Sequence, residues 1–511
     1  MAVGIWVLND QLHLLQAALA SCKPSDARVL LVESLSVLNA GPHLQKQIFF
    51  WSAQRHFADE LRCAGWKVDL VEAPSYAEAL TGWLTSHGIS ELRVMEPSDR
   101  PIHKAIERIA AQLETQPDWQ LRWYRNNQFL WSKAEFAEWV GTKKQLRMEF
   151  FYREGRKRFD LLMAADQPLG GEWNFDKENR KPPRGGLIGP PALWFEPDSC
   201  TEAVIEKLLE LQVKYQLTGA ARPFRWGVNR QQGLDVLEHF IATRLADFGP
   251  YQDAMVQGEA TLWHALISPY LNLGLLQPLE VLKRLEQAGL EQQVPLASLE
   301  GVIRQILGWR EFTHGLYQHF DANYQFSNAL EATAPIPAFI TNLGGSGMQC
   351  LDSVLAELAS SGYLHHIQRL MVLGNLGLLA GWDPQAYVAW FTSQFVDAHD
   401  WVMQTNVLGM GLWADAGKLA SKPYAASGKY LQRMGTYCQN CRFDPAKRSG
   451  PDACPFTALY WNFLDRHSER FRSHPRMALM IKQLDKFSSE ERFAIAATAA
   501  GYEWAQSGNN K

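Results

Sequence analysis

Short apolar, β-branched runs alternate with helical patterns over the first part of the chain. Strands are predicted over 3–8, 28–33, 67–71 and 92–95. Between the second and third of these, Phe50, Ala53, Phe57 and Leu61 recur at the spacing of a helix. Strands that alternate with helices are typical of a parallel sheet. Residues 1–130 are therefore predicted to form a doubly wound α/β domain.

Ligands of doubly wound sheets bind beyond the carboxyl ends of the strands. The polar residues in that position are Asp10 after the first strand and Glu33 and Ser34 after the second. No glycine-rich phosphate-binding sequence follows the first strand, so an ordinary nucleotide fingerprint is absent. Asp10 is explained about equally well as the N-cap of a helix.

Residues 131–200 have a looser pattern that is rich in basic residues, glycine and proline. Arginines and lysines dominate the stretch from 143 to 158, and Trp173-Asn-Phe-Asp176 follows it. We interpret this region as an interdomain connector. Its positive charge is most often a solvated face, and it also suits contact with a phosphate backbone.

Helical periodicity dominates residues 201–511. Leu351, Val354, Leu355 and Leu358 show the i, i+3, i+4, i+7 spacing of an apolar helix face. Pro278 and Pro384 are placed to begin helices, and Gly274 and Gly381 to end the preceding ones. The predicted architecture is thus an α/β domain, a long connector and a large all-helical domain.

Composition adds little to this picture. The 511 residues are 47% hydrophobic and carry a net charge of -4, as in an ordinary soluble globular protein, so any contact with nucleic acid must use local patches. The N-terminus lacks the basic region of a signal peptide, and no apolar run is long enough to cross a bilayer. We expect a cytoplasmic, monomeric protein with no membrane partner.

The cysteines provide the first chemical signal. Two residues separate Cys438 from Cys441, and Cys454 follows them and precedes Pro455. In a reducing compartment, close thiols are better explained as metal ligands than as disulfides. Cys350 is the best candidate for a fourth ligand. Such a site could hold zinc or an iron–sulfur cluster, and the Cys-Pro step favours the cluster.

Further motifs in the helical half each have a structural explanation when taken singly. They are Ile267-Ser-Pro-Tyr-Leu271, Trp309-Arg-Glu-Phe312, Gly362-Tyr-Leu-His-His-Ile-Gln-Arg369, and Asp397. A lone helical histidine is more often a core residue than a catalyst, and Arg369 with Asp397 could be only a buried ion pair.

Taken together, these motifs resemble the photolyase and cryptochrome family over nearly the whole chain. The four cysteines narrow the resemblance to the bacterial iron–sulfur branch, which contains the prokaryotic (6-4) photolyases and related bacterial cryptochromes. Met148-Glu149 and Trp173-Asn-Phe-Asp176 are further motifs of that branch. The resemblance implies three cofactors: FAD in the helical domain, a four-iron four-sulfur cluster on Cys350, Cys438, Cys441 and Cys454, and a 6,7-dimethyl-8-ribityllumazine antenna in the α/β domain.

The resemblance also implies roles for particular residues. By this resemblance, the residues expected to contact FAD are Tyr251, His264, Ser268, Arg310, Arg369, Asp397 and Met403. Those expected to contact the antenna are Asp10, Glu33 and Ser34. Met403 replaces the asparagine of cyclobutane photolyases. Trp390 is expected to be the first electron donor to the flavin. Phe391 and Asn342 leave the outer relay open between Tyr387, Trp382 and Trp401.

The implied activity is light-driven repair of (6-4) photoproducts in UV-damaged DNA. Repair of this lesion needs a proton donor, and the imidazole of histidine suits that role near neutral pH. His366 is predicted to be the acid, with His365 as its orienting neighbour. Leu370, Met410, Tyr424 and Tyr430 are predicted to line the lesion pocket. Between 418 and 448 the chain carries seven lysines and arginines and only one acidic residue, Asp444. This local excess of positive charge suits phosphate binding.

Two other classes of function remain open on the sequence. A cryptochrome-like photoreceptor would use the same flavin without repairing DNA. A zinc-stabilised DNA-binding or replication protein would use the cysteines without any flavin. Flavin absorption would distinguish the zinc-stabilised protein from the two flavin proteins. A lesion assay would distinguish the photoreceptor from the repair enzyme.

Overall fold

The N-terminal region is a five-stranded parallel sheet in the order β3-β2-β1-β4-β5. Our computed structural model describes residues 2–113, 119–183 and 186–502. The strands are β1 Ala2–Trp6, β2 Ala27–Ser34, β3 Lys67–Ala73, β4 Ile89–Met95 and β5 Gln120–Tyr124. Helices α1 Leu44–Cys63, α2 Tyr76–His87 and α3 Arg100–Leu113 connect them. The predicted doubly wound domain is confirmed. Sequence reasoning missed β5, an edge strand without an apolar run.

The predicted connector is more ordered than its composition suggested. It contains α4 Lys133–Val140 and α5 Met148–Phe159. The rings of Phe136 and Phe151 pack against Phe312 of the helical half, which gives these helices a core of their own. Arg156 is fully buried, and its guanidinium donates to backbone carbonyls that include that of Leu161. This arginine is neither a solvated charge nor a phosphate ligand.

The remainder of the chain is helical, as predicted. The helices are α6 Ser199–Tyr215, α7 Arg230–Thr243, α8 Leu245–Tyr251, α9 Ser268–Leu273, α10 Pro278–Glu291, α11 Leu296–Ile303, α12 Glu311–His319, α13 Ala338–Thr341, α14 Gln349–Ser361, α15 His366–Gln368, α16 Asn375–Ala380, α17 Pro384–Gln394, α18 Asp400–Met403, α19 Gly428–Met434, α20 Pro455–Arg466, α21 Ser468–Phe471, α22 Ala478–Leu484 and α23 Ser489–Ala500. Pro278 begins α10 and Pro384 begins α17, as predicted. Gly274 and Gly381 end the preceding helices, α9 and α16, in the left-handed conformation that glycine adopts at least cost. Among the described residues, no helix is both long and apolar enough to cross a membrane.

Three wide, π-helical turns interrupt the helical half. They span Arg304–Arg310, Arg369–Gly374 and Gln404–Gly411. Such turns are rare and often mark functional positions. Each contains at least one residue of the predicted site: Arg310, Arg369 or Met410.

One apolar core joins the α/β domain to the helical half. Side chains of β1, such as Ile5, belong to the same buried cluster as Tyr270 and Leu273 of α9. The backbone amide of Leu12 also donates to the carbonyl oxygen of Leu273 at 2.8 Å. The sheet therefore helps to hold α9, and with it Ser268, in place.

Acid is expected to destabilise the fold. Burial lowers the pKa of several histidines, to about 4 for His13 and His43 and to about 3 for His264 and His399. The unfolded chain then binds more protons than the folded chain below about pH 6.5, so stability is complete above that pH and falls as the pH drops. Each such imidazole costs up to about 2 kcal/mol by pH 5.

Three carboxyls oppose this loss, because burial raises the pKa of Asp99 to about 8, of Glu357 to about 7 and of Asp10 to about 6. The imidazoles outnumber them, so the urea midpoint should be lower at pH 5 than at pH 7.5. An unchanged or higher midpoint at pH 5 would contradict the neutral, buried state of these histidines.

Candidate functional site

The centre of the site is an ion pair between Arg369 and Asp397. The guanidinium nitrogens of Arg369 lie 2.7 and 3.1 Å from the two carboxylate oxygens of Asp397. The hydroxyl of Ser268, at the start of α9, donates to the same carboxylate at 2.7 Å. Burial opposes ionisation of Asp397, but the charge and hydrogen bonds of Arg369 and Ser268 outweigh it and hold its pKa below the usual value. The site thus contains a fixed, ionised pair.

Two stacked imidazoles lie beside this pair. The rings of His264 and His365 are 4.4 Å apart and within 8° of parallel. Both nitrogens of His365 and Nε2 of His264 are buried and lack a hydrogen-bond partner among the described residues. Burial lowers the pKa of both side chains, so both are neutral at pH 7. Unpaired buried nitrogens of this kind indicate a surface that suits a polar ligand.

His366 differs from its neighbour in exposure. His365 caps α15 and is fully buried, whereas His366 is the first residue of that helix and its side chain is open to solvent. Desolvation by the surrounding protein, and then the positive charges of Arg369 and Arg180, lower its pKa to about 4. His366 is therefore a reachable, neutral imidazole in the ligand-free chain.

The four predicted lesion residues divide into two kinds. Leu370 and Met410 are buried apolar side chains of one cluster, while Tyr424 and Tyr430 are half-buried. Electrostatic effects on both tyrosines and on His366 include a contribution from Arg180, so that guanidinium faces all three.

Arg180 was missed by sequence reasoning. Its side chain is 51% exposed and forms ion pairs with Asp176 and Asp253. Its signal was present in the sequence, because it lies four residues after Asp176 of the Trp-Asn-Phe-Asp motif. An exposed arginine that lies near two tyrosines and His366 can contact a phosphate.

Other predicted flavin residues have contacts away from the central pair. Arg310 forms an ion pair with Glu311 at 2.8 Å and lies 4.2 Å from the ring of Phe129, so it joins the region before α4 to the helical half. Tyr251, at the end of α8, packs on Trp263 with ring centres 4.7 Å apart. Met403 is buried in the same apolar cluster as Trp390.

Trp390 lies one ring away from the central pair. It packs edge to face on Phe395, whose ring lies 4.3 Å from the guanidinium carbon of Arg369. Its indole nitrogen is buried and has no hydrogen-bond partner among the described residues. The ring of Tyr387 stacks against it, with centres 5.6 Å apart. Trp390 thus connects the site to an aromatic cluster behind it.

The four predicted metal ligands lie around one cavity. Cys350, Cys438, Cys441 and Cys454 line one small cavity together with Met348, Tyr437 and Phe456. Burial, and then the nearness of the other three thiols, raises the pKa of the Cys350 thiol well above its usual value. Across residues 2–113, 119–183 and 186–502, no three metal-ligating side chains are arranged to hold a single ion. The four thiols therefore border a small cavity and do not converge on the position of one metal ion.

The predicted antenna residues are mostly engaged with protein. Glu33 is buried and forms ion pairs with Arg55 at 2.6 Å and with Lys207 at 3.4 Å. Ser34 shares a hydrogen bond with Ser36. Asp10 lies in a turn and not at a helix N-terminus, so the N-cap interpretation is wrong; burial raises its pKa to about 6.

Comparison with known proteins identifies the family of this chain. A family model described as "Deoxyribodipyrimidine photo-lyase-related protein" matches residues 5–226. A (6-4) photolyase of Agrobacterium fabrum is 39% identical over 509 residues, which cover 98% of this chain and 99% of that protein.

Solved structures share the fold. A bacterial class III photolyase from Agrobacterium tumefaciens has a TM-score of 0.57 at 16% identity and covers 97% of this chain and 92% of its own. A cryptochrome of Synechocystis has a TM-score of 0.57 at 15% identity, with 97% and 94% covered. The full-length relative shows that this chain belongs to the photolyase and cryptochrome family, with a (6-4) photolyase among its relatives.

Proposed function

We propose that this chain is a light-driven DNA repair enzyme that acts on (6-4) photoproducts. The observation that carries the proposal is the likeness to a (6-4) photolyase along the full length of both chains. The position of His366 supports it, because a proton donor for a DNA lesion must be reachable from outside while the flavin residues are buried.

The residues present fit FAD. The fit rests on the ionised pair of Arg369 and Asp397 and on the buried nitrogens of His264, His365 and Trp390, which have no partner in the described protein. Arg369, Asp397, Ser268 and His264 would hold the group. When bound, FAD supplies the light absorption and the one-electron donation that the repair reaction needs.

His366 is placed to move a proton. Its imidazole is neutral at pH 7 in the ligand-free chain, because burial and two nearby guanidinium groups lower its pKa. The phosphates of a bound lesion add negative charge near the ring, which raises the pKa of an imidazole and favours its protonated form. His365 contacts His264 on one side and precedes His366 in the chain, so it fixes the start of α15 and the direction of His366.

A basic surface beside the predicted lesion pocket suits the DNA backbone. Lys429 and Arg433 of α19 are exposed, and neither forms an ion pair with another described residue. Lys447 and Arg448 are engaged instead, with Asp452 and Glu491 respectively. The DNA-binding part of the 418–448 stretch is therefore proposed to be α19, which contains Tyr430 and begins shortly after Tyr424.

The cysteines fit a four-iron four-sulfur cluster better than zinc. A zinc ion needs its four ligands about 2.3 Å from one point, whereas these thiols surround a cavity and form no single-ion group in the described chain. Thiolates on the corners of a larger group are the arrangement of iron–sulfur proteins. Cys350, Cys438, Cys441 and Cys454 would each bind one iron.

Replacing Cys438 or Cys454 by serine should remove the cluster. Loss of a buried structural ligand should also lower folding yield, because metal binding contributes free energy of folding. Iron and acid-labile sulfide are measured after anaerobic purification, with Cys63→Ser, an exposed and isolated cysteine, as the control. Zinc without iron in the unmodified chain would overturn the cluster assignment.

Glu33 and Ser34 do not fit the antenna. Their polar atoms are already paired with Arg55, Lys207 and Ser36, and Glu33 is 3% exposed. Asp10, with its raised pKa, is the one predicted antenna residue without such a strong partner.

The test of the function is repair of defined lesions. The chemically reduced protein is illuminated with oligonucleotides that carry a single (6-4) or cyclobutane lesion, and restored bases are counted by chromatography. We expect light-dependent repair of the (6-4) lesion and little of the cyclobutane lesion. Flavin absorption without repair of either lesion would favour a cryptochrome-like photoreceptor. A colourless protein would refute the flavin proposal.

A further inference from the structure

The side-chain amide of Gln368 lies where three segments of the chain meet. Its Oε1 accepts from the backbone N–H of His365 at 3.3 Å. Its Nε2 donates to a carboxyl oxygen of Glu357 at 2.7 Å and to the hydroxyl of Tyr437 at 3.2 Å. Gln368, His365 and Tyr437 are fully buried. Both protons of the amide nitrogen therefore have acceptors and the oxygen has a donor, which fixes the side chain in place.

These partners also determine which way the amide faces. Turning it over would place its oxygen against the Glu357 carboxyl and its NH2 group against the His365 N–H. One contact would then set acceptor against acceptor, and the other would set donor against donor. The orientation with the oxygen toward His365 is therefore the one that the site enforces.

The start of α15 depends on this amide. The helix has only three residues, His366 to Gln368, and the wide turn that begins at Arg369 follows directly. The N–H groups at the start of a helix have no partner within it, and a glutamine three residues after the N-cap can reach back to satisfy one of them. Gln368 makes this hydrogen bond to His365, the N-cap residue. It therefore holds the first turn closed.

The same hydrogen bond bears on His366. This histidine is the first residue of the helix, and its exposed side chain receives less support from packing than the buried ring of His365. The direction of its imidazole therefore follows that of the helix backbone. A proton donor must lie about 2.6–3.2 Å from the atom that it protonates, so a small rotation of the helix is enough to slow the transfer.

The far end of the network lies in the part of the chain that carries the cysteines. Glu357 belongs to α14, the helix whose second residue is Cys350. Tyr437 directly precedes Cys438. The proton donor is thus tied, through one amide, to two segments that bear predicted metal ligands.

The neighbouring flavin residue has supports of its own. The guanidinium of Arg369 donates to the carbonyl of Leu364 at 2.6 Å and to the carboxylate of Asp397 at 2.7 Å. Loss of the Gln368 amide should therefore disturb His366 more than the flavin contacts.

We propose that Gln368 is a positioning residue for the proton donor: held by Glu357 and Tyr437, its amide fixes the start of α15 and directs His366 toward the lesion. This deepens the proposed function and rests on it, because the direction of His366 matters only when a lesion is repaired. Gln368 is fully buried, so it acts through His366 and not by touching DNA.

Gln368→Met is the first test, because methionine has a similar length but cannot replace the amide hydrogen bonds. Repair of the (6-4) lesion by chemically reduced protein should fall by about tenfold or more for each absorbed photon. Affinity for the damaged oligonucleotide in the dark should stay within about twofold, because the lost interaction orients the donor and does not bind DNA. Flavin content should also be retained. Full repair by Gln368→Met would overturn the proposal.

A double variant shows whether Gln368 acts through His366. In a His366→Ala background, Gln368→Met should have no further effect on repair, because the group that it positions is already gone. A further loss of repair in the double variant would mean that Gln368 supports the site in general, and it would contradict the positioning role.

Gln368→Glu makes the effect depend on pH. The new carboxyl keeps an acceptor for the His365 N–H and faces the carboxyl of Glu357, whose pKa burial already raises to about 7. Two carboxyls in contact share one proton at low pH and repel each other once both are ionised. Tyr437 also faces Glu357, but burial raises its pKa well above its usual value, so it stays protonated.

Repair by Gln368→Glu, relative to the unmodified chain at the same pH, should therefore be nearly complete at about pH 6 and several times lower at about pH 8.5. Gln368→Met, which cannot share a proton, should show the same relative loss at both pH values. An equal relative loss in Gln368→Glu at the two pH values would rule out the bridge to Glu357 on which the proposal depends.

The matched control is Gln16→Met. Gln16 is also fully buried, and its side-chain oxygen also accepts from a backbone N–H, that of Leu19 at 2.8 Å, within the α/β domain. This variant should lower the melting temperature without changing repair. A loss of repair as large as that of Gln368→Met would show that any buried glutamine has this effect, and the proposal would fail.

Hydrogen exchange separates failure of this proposal from failure of the repair function. In the flavin-loaded chain, the backbone amides of α15 should exchange faster in Gln368→Met than in the unmodified protein, while those of α9 should not change. If the unmodified chain repairs no lesion but α15 responds in this way, the repair function fails and the role of Gln368 in holding α15 stands. If the unmodified chain repairs the lesion and Gln368→Met changes neither repair nor exchange, the positioning role fails alone.

Discussion

Replacing His366 by alanine should lower (6-4) repair by about two orders of magnitude or more, the usual contribution of a positioned proton donor. The bound flavin and its photoreduction should be unaffected, because the side chain of His366 is exposed and the buried contacts are made by Arg369, Asp397 and the His264–His365 stack. Repair is measured with chemically reduced protein, so that any effect on photoreduction is excluded.

His366→Asn is the more informative second variant, because it keeps a polar side chain at the start of α15 and introduces the residue of cyclobutane photolyases. It should also lose (6-4) repair. The control is His319→Ala, which removes an exposed imidazole at the end of α12. Full repair by both His366 variants would rule out the proton-donor role.

The pH dependence of repair gives an independent readout. At low lesion concentration the rate reports the pKa of the free enzyme. Because the pKa of His366 is lowered to about 4, its protonated fraction increases as the pH falls from 8 to 6. Repair by the unmodified chain should rise over that range, and the small residual rate of His366→Asn should not.

Arg369→Met should unfold or empty the flavin site. Methionine retains the contacts with the Tyr363 and Phe395 rings but leaves the buried Asp397 carboxylate without its cation. Removing one partner of a buried pair costs about 3–5 kcal/mol, and Arg369 and Asp397 are only 15% and 9% exposed. Flavin content and the urea midpoint should both fall.

A double variant separates charge from packing. Arg369→Met with Asp397→Leu leaves no buried charge, so it should recover stability without recovering flavin binding. The control is Arg222→Met, which breaks an ion pair with Glu202 whose partners are 48% and 38% exposed. That surface pair should be worth about 1 kcal/mol or less. Equal losses of stability in Arg222→Met and Arg369→Met would contradict the claim that burial makes the loss of Arg369 costly.

Local chemistry explains what could be predicted from the sequence. Apolar runs located four of the five strands, and the pairs Gly274 with Pro278 and Gly381 with Pro384 located helix ends, because each of these signals acts within a few residues. The edge strand β5 escaped because its half-exposed residues carry no apolar run. Edge strands are defined by their neighbour in the sheet rather than by their own pattern.

Two of the missed or reassigned residues depend on distant contacts. Glu33 is paired by Lys207, which is 174 positions away, and Arg180 lies near tyrosines that are far along the chain. Partners of this kind are fixed by the tertiary fold alone. Arg156 differs, because its partners are nearby: the composition of 131–200 suggested a connector with a solvated charge, yet carbonyls of the following loop converge on the guanidinium and bury it.

The three wide turns at Arg304–Arg310, Arg369–Gly374 and Gln404–Gly411 have a consequence for how this protein tolerates change in length. Each accommodates a residue more than a regular helix would, so losing one residue would return the segment to a regular helix and remove the wide turn that places Arg310, Arg369 or Met410. Arg369 and Leu370 could then no longer face their present neighbours. Insertions and deletions that loops absorb easily are therefore excluded here, even where every remaining side chain is unchanged.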